Sequence, residues 1–395
     1  MNYILFDEGL TRNQLLPFTF TRPIADIRIG ITTIREKWEL ALENTTSSLT
    51  EDYLSIKYPL VQKKQNVLIN AAVLPDANLV AAIKKLKSNQ ALSSEDSIIA
   101  YRIGGDDLDK IAEESPENMT EIEYKEPIDK IENVCDLYLM NESILMRDFD
   151  CLTQDRKSAK ISKTNQVIAA ENIFIEEGAI VEYATLNASK GPIYIGKNAE
   201  VMEGACLRGG VAICEGATVK MNAKIYGATT IGPYSKVGGE LSNVVIFGYS
   251  NKSHDGFLGN AVLGEWCNLG ADTNNSNLKN DYSEVKIWSY AAESFVPTGQ
   301  TFCGLFMGDH SKTAINTMLN TGTVVGVCAN IFGAGFPRQF IPSYTWGGKN
   351  YQIDTAIETA VRVYARRQKE FTEVDETILR TVYANTHENR EKGKF

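Results

Sequence analysis

The chain has only three histidines, and two of them, His254 and His310, interrupt a stretch of otherwise strict repeats. His254 stands in Lys252-Ser253-His254-Asp255. Imidazole titrates near neutrality, so it can take the proton from an amine or hydroxyl as that group attacks a thioester. A loop that breaks a regular stack is a place where side chains can be delivered to a ligand. The plainer alternative is an exposed loop histidine bonded to Asp255. His310 lies in Gly308-Asp309-His310-Ser311-Lys312-Thr313, just before the repeats resume. A lysine there suits a phosphate as a point charge, and a solvated corner is the alternative.

These residues must be positioned by the element around them, and its period is six. Aliphatic residues fall at Ile195, Val201, Leu207, Ile213, Val219, Ile225, Ile231 and Val237. Met307, Thr313, Leu319, Val325 and Ile331 keep the same step, Ile175 and Val181 begin the series, and Leu263 and Leu269 hold it between irregular stretches. An amphipathic helix repeats at 3.6 and a strand at two, so neither explains the pattern. A parallel β-helix does: each aliphatic residue points into the bore of a three-sided prism, with about eighteen residues to a coil. Glu177-Gly178-Ala179, Glu203-Gly204-Ala205 and Glu215-Gly216-Ala217 supply corners where the chain can bend. Ala199, Ala205, Ala217 and Ala223 are expected to face outward, giving the prism small apolar faces that need cover.

Ahead of the repeats the chain reads as α/β. Tyr3–Phe6 and Asn66–Asn70 resemble buried strands, while 31–42 and 79–86 resemble helices, an alternation that suggests a parallel sheet. The polar stretch 154–165 reads as a linker, and 355–371 and 374–383 read as helices closing the exposed last coil. The expected division is therefore 1–150 for the α/β domain, 151–170 for a linker, 171–345 for the β-helix and 346–395 for a helical cap. At 395 residues, two or three folding units are the natural expectation.

A net charge of -10 argues against nucleic acid as a partner. No apolar run approaches a membrane span, and the N-terminus turns acidic at Asp7-Glu8, unlike a signal peptide. Seven cysteines without Cys-x-x-Cys spacing fit reduced thiols and a cytoplasmic setting.

Residues 252–280, KSHDGFLGNAVLGEWCNLGADTNNSNLKN, resemble the acetyltransferase active-site segment of the bifunctional GlmU family. The resemblance implies a left-handed β-helix, with His254 as catalytic base and with Lys252, Asn277 and Lys236 as substrate-binding residues. Phe257 and Leu278 replace family tyrosines, and Lys236-Val237-Gly238-Gly239 replaces an arginine-containing corner. Ser311 and Lys312 fall where the family approaches the acetyl-CoA arm.

At the N-terminus, Gly9-Leu10-Thr11-Arg12 follows the first strand and is similar to the family's phosphate loop with one glycine retained. On that likeness Gly9, Thr11, Arg12, Arg22 and Arg28 bind nucleotide, and Asp7 stands in for a missing Mg²⁺-binding aspartate. The N-terminal part resembles a shortened, Bacteroidetes-type form of the family, a nucleotidyltransferase-like α/β domain fused to hexapeptide repeats.

The resemblance implies acetylation of glucosamine-1-phosphate by acetyl-CoA and nucleotidyl transfer from UTP to the sugar-1-phosphate, in a homotrimer. Two other readings stand beside it. One is a thymidylyltransferase or other sugar nucleotidyltransferase whose β-helix serves assembly alone. The other is a non-enzymatic sugar-nucleotide-binding scaffold.

Overall fold

The computed structural model describes residues 1–94, 97–104 and 119–392. The chain separates into two compact units. The first comprises Met1–Leu15, Arg22–Ile27 and Thr32–Asn133, and the second comprises Leu16–Thr21, Arg28–Ile31 and Val134–Phe395.

In the first unit, β1 (Asn2–Phe6), β2 (Thr46–Leu49), β3 (Gln65–Asn70), β4 (Gln90–Ser94), β5 (Ser97–Gly104) and β6 (Thr120–Glu123) form one sheet in the order β2-β1-β3-β5-β4-β6. β1 runs parallel to β2 and β3, but β5 is antiparallel to both β3 and β4. The sheet is therefore mixed, not wholly parallel. Ile4, Leu68, Tyr101 and Ile103 bury one face of it. The helix Ile34–Leu42 begins at a reciprocal Thr33/Glu36 capping box, which answers two of its orphan amides. It buries Trp38, whose Nε1 donates to the Val73 carbonyl at 2.8 Å. Asp76 caps the helix Ala77–Lys85 by a simpler device, its Oδ1 accepting from the amides of Asn78 and Leu79.

The second unit is a parallel β-solenoid of about 10 turns followed by C-terminal helices. Val201 pairs in register with Val219, and Val219 with Val237, so the period of the sequence is the pitch of the coil. The aliphatic ladder from Ile175 to Ile331 fills one continuous interior. Burying each such side chain contributes about 1.5–3 kcal/mol.

Ala199, Ala205, Ala217 and Ala223 do not face outward: each is 0% exposed and belongs to that interior. Each closes a turn, as Ala199 N does on the Gly196 carbonyl and Ala217 N on the Cys214 carbonyl. The residue just before it, Asn198, Gly204, Gly216 or Asn222, has positive φ. The turn thus carries the alanine Cβ round the corner into the bore.

The outward residues of the three solenoid faces meet different surroundings. Leu145 of the helix Asn141–Thr153 packs with Ile31, Ala212 and Cys214 over one face. Asn141 Nδ2 donates there to the Ala228 carbonyl at 2.8 Å. This attachment places the helix with the solenoid, so the first unit ends at Asn133 and not near residue 150. Residues 154–165 lie along the first coil, where Ala159 N donates to the Ile175 carbonyl at 2.8 Å. A second face carries the outward column Lys236, Asn251, Asn268 and Lys312. The third presents exposed Ile168 and Tyr226.

The helices Ile353–Arg366 and Glu373–Asn385 follow the last coil, the first burying Ala356, Ile357, Ala360 and Tyr364. Among the described residues, no helix is long and apolar enough to cross a membrane.

Candidate functional site

In the solenoid, the coil leading to His254 is short. Lys252 pairs with Val237 fifteen residues earlier, where the preceding step, from Val219 to Val237, is eighteen. Lys252 consequently occupies an aliphatic position in the bore and is 0% exposed. Its Nζ donates to the carbonyls of His254 at 2.5 Å and Asp255 at 2.8 Å, tying down the turn that carries the histidine. Burial pushes its ammonium down to about 8, against the pull of Asp255 and Asp272.

Gly239, at φ 75°, allows the neighbouring corner to approach, since a Cβ there would lie 3.0 Å from the His254 carbonyl oxygen. Beyond the turn, side-chain amides continue the ladder. Asn274 Oδ1 accepts from Phe257 N at 2.7 Å, and Asn275 both accepts from and donates to Gly259.

His254 is exposed at the junction of two clefts. One, of about 590 Å³, has Lys236, Lys312, Arg366 and Arg367 among its lining residues, with Tyr249, Trp266, Leu269, Ile315 and Val363 supplying apolar surface. The other, of about 720 Å³, is lined by Lys220, Gly238, Gly239, Asp255 and Asp272. The structure therefore brings His254, Lys236 and Lys312 to a common cleft. Asn277 lies outside both linings, with its Nδ2 donating to Asn260 Oδ1 at 2.8 Å. Ser311 is fully buried, its hydroxyl donating to the Gly326 carbonyl and accepting from Ala329 N. Lys312 Nζ donates to the His310 carbonyl at 2.6 Å. Burial lowers the Lys312 ammonium, and burial with the nearby Arg367 lowers Lys236.

Sequence reasoning named Arg366 and Arg367 only as part of a closing helix and missed the polar column of Asn251 and Asn268. A polar residue where the repeat turns outward was the available signal for that column.

The first unit gathers a different set of charges. Gly9 opens the short helix Gly9–Gln14 directly after β1. Asp7 is held on both carboxylate oxygens: Oδ1 accepts from Ile24 N at 2.9 Å, and Oδ2 from Arg12 at 2.9 Å and Thr50 at 2.6 Å. Burial raises its carboxyl, and the Arg12 guanidinium beside it is the first of the opposing influences. Arg12 also reaches the Arg22 carbonyl, Tyr53 and Glu51. Thr11 donates to Glu8 at 2.6 Å, and Glu8 pairs with Lys130 at 3.0 Å. Arg22 is buried in this unit. Arg28 belongs to the second unit, where its Nε donates to the Phe247 carbonyl at 3.0 Å. Among the described residues, no group of three or more His, Cys, Asp or Glu side chains could hold a metal ion. Asp7 Oδ1 accepts one hydrogen bond and Oδ2 two, so its carboxylate is held within the fold.

The chain joins an α/β unit to a β-solenoid built on a six-residue repeat, and comparison with known proteins bears on both parts. Residues 3–157 match the model of the family described as sugar nucleotidyl transferase. The chain is similar to a bifunctional sugar-1-phosphate nucleotidylyltransferase/acetyltransferase of Sulfurisphaera tokodaii, with 30% identity over 36% of this chain and 36% of that protein. It is also similar to the bifunctional protein GlmU of Methanocaldococcus jannaschii, with 30% identity over 32% of this chain and 26% of that protein. A third relative, the bifunctional protein GlmU of Methanococcus aeolicus, shows 26% identity over 38% of this chain and 31% of that protein. The chain thus spans about a third of the length of the curated relatives it matches. Residues 3–157 therefore resemble a sugar nucleotidyl transferase domain, and part of the chain is similar to bifunctional proteins of the GlmU kind.

Proposed function

We propose that the chain N-acetylates glucosamine-1-phosphate with acetyl-CoA at the solenoid and joins a sugar-1-phosphate to the uridylyl group of UTP in the first unit. The observation that carries this reading is the place of His254 between a cleft rich in cations and one that contains Asp255 and Asp272. Anionic phosphates of the acyl donor suit the first cleft, and an amino sugar suits the second. His254 would take the proton from the amine as its nitrogen attacks the thioester carbonyl, and coenzyme A thiolate would leave. Lys252 would act through the turn it holds.

Mg²⁺ enters this reading as the counterion of the nucleoside triphosphate, and Arg22 with Arg12 would face its phosphates once Arg12 moves from Asp7. We place the protein in the cytoplasm, on the seven free thiols. We also propose a homotrimer, supported by the exposed Ile168 and Tyr226 on one outward column and not by the repeat alanines. Cyclic closure would cover that face. Light scattering should then give about 131 kDa, three copies of a 43.7 kDa chain, and an active monomer would refute the assembly.

The test of function is to incubate the purified chain with glucosamine-1-phosphate, acetyl-CoA, UTP and Mg²⁺, following free thiol and pyrophosphate separately. Both should appear, and Arg22→Ala should reduce pyrophosphate alone. Thiol release without pyrophosphate would favour a second reading, in which only the solenoid is active. The buried Asp7–Arg12 pair supports that reading because it already engages the Arg12 guanidinium within the fold.

A further inference from the structure

We infer that Arg366 and Arg367, at the end of the helix Ile353–Arg366, form with Lys236 a phosphate clamp that binds the phosphorylated end of the acyl donor. This makes the helix part of a ligand site as well as the cover of the last coil. The inference rests on the acyl-transfer reading for the identity of its ligand.

The argument begins with charge. Lys236, Lys312, Arg366 and Arg367 line one cleft of about 590 Å³. None of the four makes an ion pair among the described residues, although the protein as a whole carries a charge of -10. Such a gathering of like charge costs energy until an anion answers it. Burial, Arg367, Lys220 and Arg366 together lower the Lys236 ammonium, against a smaller opposing pull from Glu200. Burial and then Arg366 lower Arg367. An arginine pair offers planar donors matched to phosphate oxygens, which lysine does not.

The geometry holds the pair in place. Tyr364, two and three residues before the arginines, stacks on Trp266 with ring centroids 4.0 Å apart and planes at 23°. Trp266 stacks in turn on Tyr249 at 4.4 Å. Arg367 reaches down to the outward column and donates to Asn251 Oδ1 at 2.9 Å. The helix end is therefore fixed over the coils that carry Lys236 and Lys312. Leu269, Ile315 and Val363 provide apolar wall in the same cleft, suited to the uncharged arm that joins a donor's phosphates to its thioester. His254 lines this cleft as well.

The experiment is calorimetric titration of the full chain with coenzyme A, pantetheine and inorganic pyrophosphate. It uses the parent, Arg366→Ala, the double variant Arg366→Ala/Arg367→Ala and the charge-conserving Arg366→Lys/Arg367→Lys. Arg366 makes no side-chain hydrogen bond in the described structure, so its single variant should keep the fold; thermal melts check this. Each lost arginine should weaken coenzyme A by about tenfold, leave pantetheine unchanged and be partly rescued by lysine. Equal coenzyme A affinity in parent and double variant overturns the clamp while leaving acyl transfer at His254 standing. If the parent binds pyrophosphate in an arginine-dependent way but not coenzyme A, the clamp stands and the acyl-donor reading falls. If it binds neither, the clamp is wrong.

Discussion

The two charged regions of this molecule are built on opposite plans. Around β1 every charge is answered from within: Asp7 faces Arg12, Thr50 and an amide, and Glu8 faces Thr11 and Lys130. In the solenoid cleft, Lys236, Lys312, Arg366 and Arg367 stand together, and none of them makes an ion pair among the described residues. A set of charges that closes on itself stabilises a fold, whereas a set left open stores a demand that a ligand can meet. The solenoid cleft is therefore poised for an anion. The first unit must surrender an internal ion pair before its own cations can take one.

The largest expected effect separates the two regions chemically. Replacing His254 with alanine should lower thiol release by about 10²–10⁴-fold, while pyrophosphate release stays at the parent level. Thiol release undiminished in His254→Ala would mean that another group is the base.

Stability should separate them next. Asp7→Ala removes the buried partner of Arg12, in a pair whose side chains are only 4% and 6% exposed, and leaves it the half-exposed Glu51 at 3.5 Å. Breaking such a pair costs about 3–5 kcal/mol. Denaturant unfolding should show an earlier transition for the first unit and an unchanged one for the solenoid. Coincident shifts in both would deny that the two regions are independent.

A smaller effect concerns Lys252. Its folded value of about 8 lies below the ordinary lysine value of 10.5. Below about pH 8 both folded and unfolded chains hold the proton, and the penalty of a buried charge is constant. Between about 8 and 10.5 the folded chain gives it up first, so stability rises with pH by at most about 3 kcal/mol. Lys252→Met keeps an unbranched chain in the bore and should lose that rise. Parallel melting curves at pH 7.5 and 9.5 measure it, and the same slope in both proteins would place the ammonium outside the bore.

What the sequence made legible follows the strength of its periodicities. A strict step of six admits no helix and no ordinary strand, so the solenoid and its aliphatic bore were readable from Ile195 to Val237. The step does not say which way a corner Cβ points, so the inward direction of the repeat alanines is set by the positive-φ residue before each of them. A lysine is expected outside, where it can touch a ligand; only the coil's loss of three residues turns Lys252 inward. The antiparallel β5 escaped because short apolar runs carry no direction. Arg366 and Arg367 were visible on a helix, but which surface a helix meets is decided by tertiary packing, here by Tyr364 on Trp266.

Hydrogen–deuterium exchange on the full chain, with coenzyme A and with UTP added separately, tests most directly whether the solenoid cleft is the acyl-donor site. Coenzyme A should slow exchange at 249–256, 266–271, 312–315 and 363–367 and leave 1–27 unchanged. Protection by coenzyme A confined to residues 1–27, or absent from all of these segments, would contradict the account.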